Sequence, residues 1–503
     1  MPLATSTFIL TVLAILWATW PKRKSHYPPG PVADPFIGHV RVIPTQNQPE
    51  VFHEWSQIYG DIMYLQVFGR KMVIMGSFKV AQELLENRSA NYSCRPRCVV
   101  WRIMGWKDSL TFFQYGKRFL KHRKMFQQYF DRKGSLAFND MLAEEARLLV
   151  ANLARATPGE HIHYAHRLTT SNIMRAAFGK QIKDDSDPFL KLALDVTWAA
   201  NNSGPIGSTP VDMFPWLGHL PSWFPGTYYA SFALASRTIT QRLYDDPVEF
   251  VQKQMRDGNA ERSFISEKLT EVGDELDEEA LQDIKGASAT VFAAGEDTSF
   301  ATLTVFFLVM IRHPEYQTRA YQEITSVVGK DRLPEYRDRD SLPFVECILQ
   351  ETLRWHPVVP LGIPHRSLND DIYNGMFIPG GSVMIPNVYG MSRDKDVYST
   401  PDAFNPARFL PAPEGKGEPH FAAIWGFGRR ICPGRHFADL ALWHAMVCIL
   451  ATLEIQPEKD EDGKVILPEV RFTEGLVSQV VPFRFAVRPR SEAARALIAN
   501  IEA

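Results

Sequence analysis

Cys432 stands in the stretch Trp425-Gly-Phe-Gly-Arg-Arg-Ile-Cys432-Pro-Gly434, with two arginines before it and Pro433-Gly434 behind it. An apolar pattern of helical period follows, from Phe437 to Leu453. Chemically this is a soft anionic ligand carried on a loop at the start of a helix. The positive end of the helix and the loop amides favour the thiolate over the thiol. A thiolate is one of the few protein groups that serves as a haem axial ligand. Gly426, Gly428 and Gly434 let the backbone lie close to a flat group and donate hydrogen bonds to sulfur. Arg430, two residues before the cysteine, is placed to pair with a propionate. A lone cysteine beside a helix cap is also how an ordinary buried thiol looks. The rest of the chain has to decide between the two.

Three further groups of residues bear on that choice. Glu279 to Arg312 reads as one long helix, acidic at its start and apolar in its middle. It contains Ala294-Gly295-Glu296-Asp297-Thr298-Ser299. Glycine inside a helix costs about 1 kcal/mol against alanine. Thr298 can bond to a carbonyl one turn back and loosen the helix. A kink or groove is expected there, and an acid next to a hydroxyl in a groove can relay protons through water. On a helix opened by Tyr115-Gly116, Phe119 and Arg123 share a face at i and i+4. Glu351 and Arg354, at i and i+3, share a helix that Pro357 ends, and Phe404-Asn-Pro406-Ala-Arg408-Phe409 supplies another arginine.

Taken in order, these stretches resemble cytochrome P-450 enzymes over nearly the whole chain. Gly428, Arg430, Cys432 and Gly434 fall on the fixed positions of that family's haem signature, Phe-x-x-Gly-x-Arg-x-Cys-x-Gly, with Trp425 in place of the phenylalanine. Ala294 to Thr298 matches the (Ala/Gly)-Gly-x-(Asp/Glu)-Thr motif, and Phe119 stands where the family has the tryptophan of Trp-x-x-x-Arg. The chain looks most like basidiomycete fungal enzymes of secondary metabolism.

The resemblance implies a mainly α fold with a smaller β region and an N-terminal membrane anchor. It implies haem b, its iron held by Cys432. The propionates fall to Arg123, with His122 beside it, to Arg430, and to His365, with Arg366 as the alternative. Thr298 is implied in oxygen activation and Asp297 in guiding protons. Glu351, Arg354 and Arg408 would form a structural triad. Ile103, Ala287, Val291, Ala294, Val359, Leu361, Leu476 and Val477 would line the substrate pocket, with Val99, Val100, Met104 and Thr290 as further candidates. The reaction implied is insertion of one oxygen atom into a small apolar substrate such as a terpenoid. Its electrons would come from NADPH through a cytochrome P-450 reductase, with cytochrome b5 as a second donor. Two other readings stay open: multistep oxidation, rearrangement or dehydration on the same fold, and a non-catalytic haem-binding protein.

Composition is consistent with this. The chain has 503 residues, 45% of them hydrophobic, and a net charge of −2, which gives no basis for a nucleic-acid partner. Five scattered cysteines suit a reducing compartment better than a disulfide framework. Pro2 to Trp20 is apolar and uncharged, and Lys22, Arg23 and Lys24 follow. Residues 1–20 therefore read as a transmembrane anchor, with a cleaved signal peptide as the rival that the position of the basic cluster argues against, and 21–31 as a basic stop and proline-rich hinge. Residues 32–503 form the catalytic domain, which would be cytosolic on a single-pass endoplasmic reticulum protein. The sequons at Asn87, Asn91 and Asn201 would then stay unmodified. Val211 to Gly226, dense in aromatics and prolines, reads as a patch that touches the bilayer or caps an apolar channel, and the resemblance implies a lid there.

Strands are expected at Ile62 to Val67, Lys71 to Met75, Met376 to Ile378, Val383 to Ile385 and Val480 to Val487. Helices are expected at Ser77 to Asn87, Asp140 to Ala154 and Pro188 to Ala200, with Tyr92 to Leu110 irregular.

Overall fold

In the long central helix, four threonine hydroxyls each donate to a carbonyl three or four residues earlier, and the helix runs unbroken past all of them. The computed structural model describes residues 26–157 and 159–502. The expected anchor, residues 1–20, lies outside them. Seven helices place the site: α1 (Lys117–Phe130), α2 (His161–Phe178), α3 (Pro188–Asn201), α4 (Tyr228–Arg256), α5 (Glu278–Arg312), α6 (Pro343–Trp355) and α7 (Arg435–Thr452). The central helix is α5. Asp277 caps its N-terminus by accepting from the Ala280 amide, and Glu278 and Glu279 sit in its positive first turn. α5 is apolar enough to cross a membrane by composition, yet most of its apolar stretch is buried against α2, α4, α6 and α7. Its hydrophobicity is that of a core helix.

The β region is small. Strands β1 (Ile62–Val67) and β2 (Arg70–Met75) form an antiparallel hairpin. β4 (Val383–Pro386) runs parallel to β2, and β3 (His365–Arg366) closes the other side of β4. The predicted strand from Val480 to Val487 is shorter and later than expected. Only Phe485–Pro489 is a strand, and Val480 makes an isolated bridge to Phe472. Pro482 explains the shift, because it cannot donate to a ladder.

Two other expectations change. Tyr92 to Leu110 is not wholly irregular. Val99–Met104 is helical, ends at Gly105 in the left-handed region (φ 105°), and is followed by one turn of tighter helix at Trp106–Asp108. Burial of Trp101, Met104 and Trp106 imposes what the mixed sequence does not suggest. The described part of the hinge, from residue 26, is docked on the sheet. Tyr27 stacks on Tyr64 at 4.5 Å, Pro29 accepts from the Tyr64 amide, and a Cβ on Gly30 would stand 2.5 Å from the Tyr64 carbonyl.

Candidate active site

Cys432 is held in a tight turn before α7. Its amide donates to the Trp425 carbonyl at 2.7 Å, and Gly426 and Gly428 take the positive φ values (74° and 51°) that the turn requires. A Cβ on Gly428 would stand 2.4 Å from the Leu85 carbonyl, so this residue also allows a close approach of two backbones. Gly434 has open space where a Cβ would be, and it lines a large cavity of about 340 Å³ together with Cys432, Trp425 and Gly426. Burial raises the thiol pKa, while the Gly434 amide, Arg123 and Arg435 favour the thiolate. The Arg123 guanidinium donates to the Ile431 carbonyl at 2.5 Å, and Arg435 donates to that of Cys432. The loop is thus set in a cationic frame.

The opposite wall is α5. Val291, Ala294, Gly295, Asp297 and Thr298 face the cavity. Thr298 donates to the Ala294 carbonyl at 2.8 Å, the one-turn back-bond expected from sequence. The helix does not break there. Gly295 also serves close packing, since a Cβ would stand 2.4 Å from Ile173 Cδ1 on α2. Asp297 is buried and accepts from the Gln479 amide at 2.5 Å and from Asn201. Burial and the adjacent Glu296 both push its pKa well up. Glu296 points the other way, to Thr169, Thr197 and His166 on α2 and α3, and burial raises its pKa too.

The propionate residues separate clearly. Arg123, Arg430 and His365 all line the cavity, whereas His122 is turned to Asp283 at 3.0 Å and Arg366 to Cys94. Arg430 donates to the Ser93, Leu110 and Phe113 carbonyls, and its guanidinium lies 3.8 Å over the Phe119 ring. Phe119 therefore supports this arginine rather than donating a hydrogen bond of its own. Sequence reasoning missed Arg95. It also lines the cavity, 5% exposed, and donates to Thr111, Ile363 and Pro364 carbonyls. Nothing in its local spacing signals that role.

Arg95, Arg123 and Arg430 have no carboxylate partner among the described residues. Burial pushes the pKa of all three down, that of Arg430 to about 10. Uncompensated buried cations are costly and call for an anion. The two propionates of a haem would supply it, and the open space at Gly434 leaves room for a flat ring. The donor set fits haem.

Of the predicted pocket residues, Val291, Ala294, Val359, Leu476 and Val477 lie on the wall. Ile103, Ala287 and Leu361 do not. Ile103 is turned toward Gly218 of the expected lid, Ala287 is buried among the core helices, and Leu361 packs on the sheet cluster around Phe52. Val99, Val100 and Met104 are also off the wall, while Trp101 and Trp106 from the same segment are on it. An irregular segment has no periodicity from which to read a facing side.

Away from the cavity, Glu351 is fully buried and takes two hydrogen bonds from Arg354, at 2.7 and 2.8 Å, and one from Arg408 at 3.1 Å. A fourth member, Glu418, pairs with Arg408 at 2.6 Å. The group is therefore a neutral quartet. The imbalance of two arginines against one glutamate could have signalled the missing acid.

The comparisons agree with this geometry. The cytochrome P450 family model matches residues 28–485. The chain is 36% identical to cytochrome P450 monooxygenase 136 of Postia placenta, over 100% of this chain and 96% of that protein. It is 37% identical to cytochrome P450 monooxygenase claR of Ampulloclitocybe clavipes, over 95% and 89%. It is 32% identical to claT of the same organism, over 99% and 98%. The cofactor is a haem whose iron takes an axial cysteine thiolate, and the chain belongs to the cytochrome P450 family of monooxygenases.

Proposed function

We propose that this monooxygenase performs a tailoring step of fungal secondary metabolism, hydroxylating an apolar, terpenoid-like scaffold. The observation that carries the reading is the makeup of the cavity wall. It includes Trp101, Trp106, Phe112, Val291, Val359 and Leu476, and Asp297 is the only carboxylate in the lining among the described residues. Such a wall selects an uncharged, largely apolar molecule. When bound, the haem supplies an oxygen-activating iron whose thiolate ligand favours O–O cleavage. Cys432 would hold that iron, while Arg95, Arg123, Arg430 and His365 would hold the propionates. Asp297 carries protons toward the cavity, and the Thr298 hydroxyl, on its neighbour, receives and orients them. The apolar wall excludes bulk water.

Electrons come from a reductase, and cytochrome b5 as a second donor belongs to this proposal. So does the location: a single N-terminal anchor in the endoplasmic reticulum membrane, with the catalytic domain cytosolic. Exposed Val32, Phe36, Phe68, Trp216 and Trp223 support it. The Phe68 amide donates to the Ile37 carbonyl and its ring meets Phe214 at 5.2 Å, so the N-terminal segment, the β1–β2 turn and the lid are joined at one edge. A glycosidase-induced shift in gel mobility would overturn this orientation.

The test of function is the metabolite profile of a host strain lacking the gene. An accumulated compound with one oxygen fewer than a lost product is the expected result. An accumulated compound with no oxygen difference would overturn hydroxylation in favour of rearrangement or dehydration.

A further inference from the structure

Three chain segments meet at one carboxyl. Asp297 lies on α5, Asn201 is the last residue of α3, and Gln479 sits in the loop that precedes the final strand. Gln479 Nε2 donates to Asp297 Oδ1 at 2.5 Å, and the Asn201 side chain donates to the same carboxyl. Asn201 Oδ1 in turn accepts from the Val477 amide at 3.3 Å, and a Cβ on Gly475 would stand 3.0 Å from that oxygen. The Gln479 amide donates to Thr473 Oγ1, which closes the loop on itself. The neighbours of these two amides, Ala200 on one side and Leu476 and Val477 on the other, line the cavity.

We propose that Asn201 and Gln479 are positioning residues for Asp297, tying the orientation of its carboxyl to the two wall segments that a substrate touches. The inference rests on the reading of Asp297 as the proton-carrying group. Both donors are neutral amides. A lysine or arginine in either place would hold the carboxylate ionised through a full charge, whereas an amide orients the group and leaves it free to exchange its proton. Displacement of Ala200, Leu476 or Val477 by a bound molecule moves one or both amides and so re-aims the carboxyl. The same geometry removes Asn201 as a glycosylation acceptor, because its amide is engaged inside the protein.

The test uses the full-length holoenzyme in membranes with reductase, NADPH and oxygen, and no added substrate. One NADPH, one proton and one O2 give NADP+ and H2O2. A second NADPH and its proton carry the peroxide on to two waters. The ratio of peroxide to water therefore reports proton delivery. Gln479→Leu and Asn201→Leu should keep the carbon monoxide difference spectrum of thiolate-ligated haem. They should raise the ratio about three- to tenfold, as loss of one hydrogen bond to the carboxyl would. Adding either change to Asp297→Asn should raise the ratio no further than Asp297→Asn does alone. If Gln479→Leu fails to hold haem, Gln479→Met keeps the length of the side chain, removes the donor without adding an acid, and carries the same expectation. A wild-type ratio in the amide variants beside a raised one in Asp297→Asn would overturn the proposal and leave the reading of Asp297 intact. An unchanged ratio in Asp297→Asn would overturn both.

Discussion

Two groups of buried arginines in this protein are wired differently. Arg354 and Arg408 meet Glu351 and Glu418, so two cations face two anions in the protein itself. Arg95, Arg123 and Arg430 meet only carbonyls and an aromatic ring. The first arrangement is complete without a ligand and pins the segment carrying Arg408 and Glu418 to α6. The second leaves its charge to be balanced by a bound anion. Burial alone does not distinguish a structural arginine from a ligand-holding one. The identity of its acceptors does, because a carbonyl orients a guanidinium without neutralising it.

The largest effect is expected in the compensated group. Glu351→Gln leaves two buried guanidinium groups against one carboxylate, and losing a partner of a buried pair costs about 3–5 kcal/mol. Thermal unfolding of the apoprotein should fall steeply and no holoenzyme should accumulate. The cavity arginines should behave in the opposite way. Arg430→Leu removes an uncompensated charge, so the apoprotein should melt at the same or a higher temperature. Haem retention should weaken at least tenfold, from a charge-assisted hydrogen bond worth about 1.5–3 kcal/mol. Haem transfer to apomyoglobin measures this. A destabilised apoprotein would break the comparison.

A third buried acid is the intermediate case. Burial alone would raise Asp283, but hydrogen bonds from Lys121, His122 and Arg118 hold it down to about 2. A carboxyl depressed in the folded state adds stability above its ordinary value of 3.8, and that part is lost as pH falls toward about 2. Asp283→Asn should flatten the pH dependence of stability in that window. Lys121 and Arg118 are half-exposed, so the effect should be smaller than that of Glu351→Gln. The smallest change is expected from Trp425→Phe. It restores the common residue beneath the cysteine and should shift the haem reduction potential measurably, with folding unaffected.

Much of the site is legible in one dimension because its parts are local. The Cys432 turn needs glycines at fixed offsets, and the α5 motif needs an acid and a hydroxyl in adjacent positions. Glu351 and Arg354 need only one helical turn. The pattern also separates α5 from a membrane span only weakly, since a core helix and a spanning helix bury the same side chains. Arg95, Glu418, Asn201 and Gln479 were not legible, as each acts across a long sequence separation with no spacing of its own.

Short motifs in the sequence pointed to the ligand, the motif helix and the cofactor, through their order and their resemblance to a known family, because each motif is built from residues close together in the chain. Tertiary structure alone decided that His365 and not Arg366 faces the cavity, that His122 turns to Asp283, and that Ile103, Ala287 and Leu361 lie off its wall. The direction a side chain takes from a turn or a short strand is set by what packs against it. That information lies in distant parts of the chain.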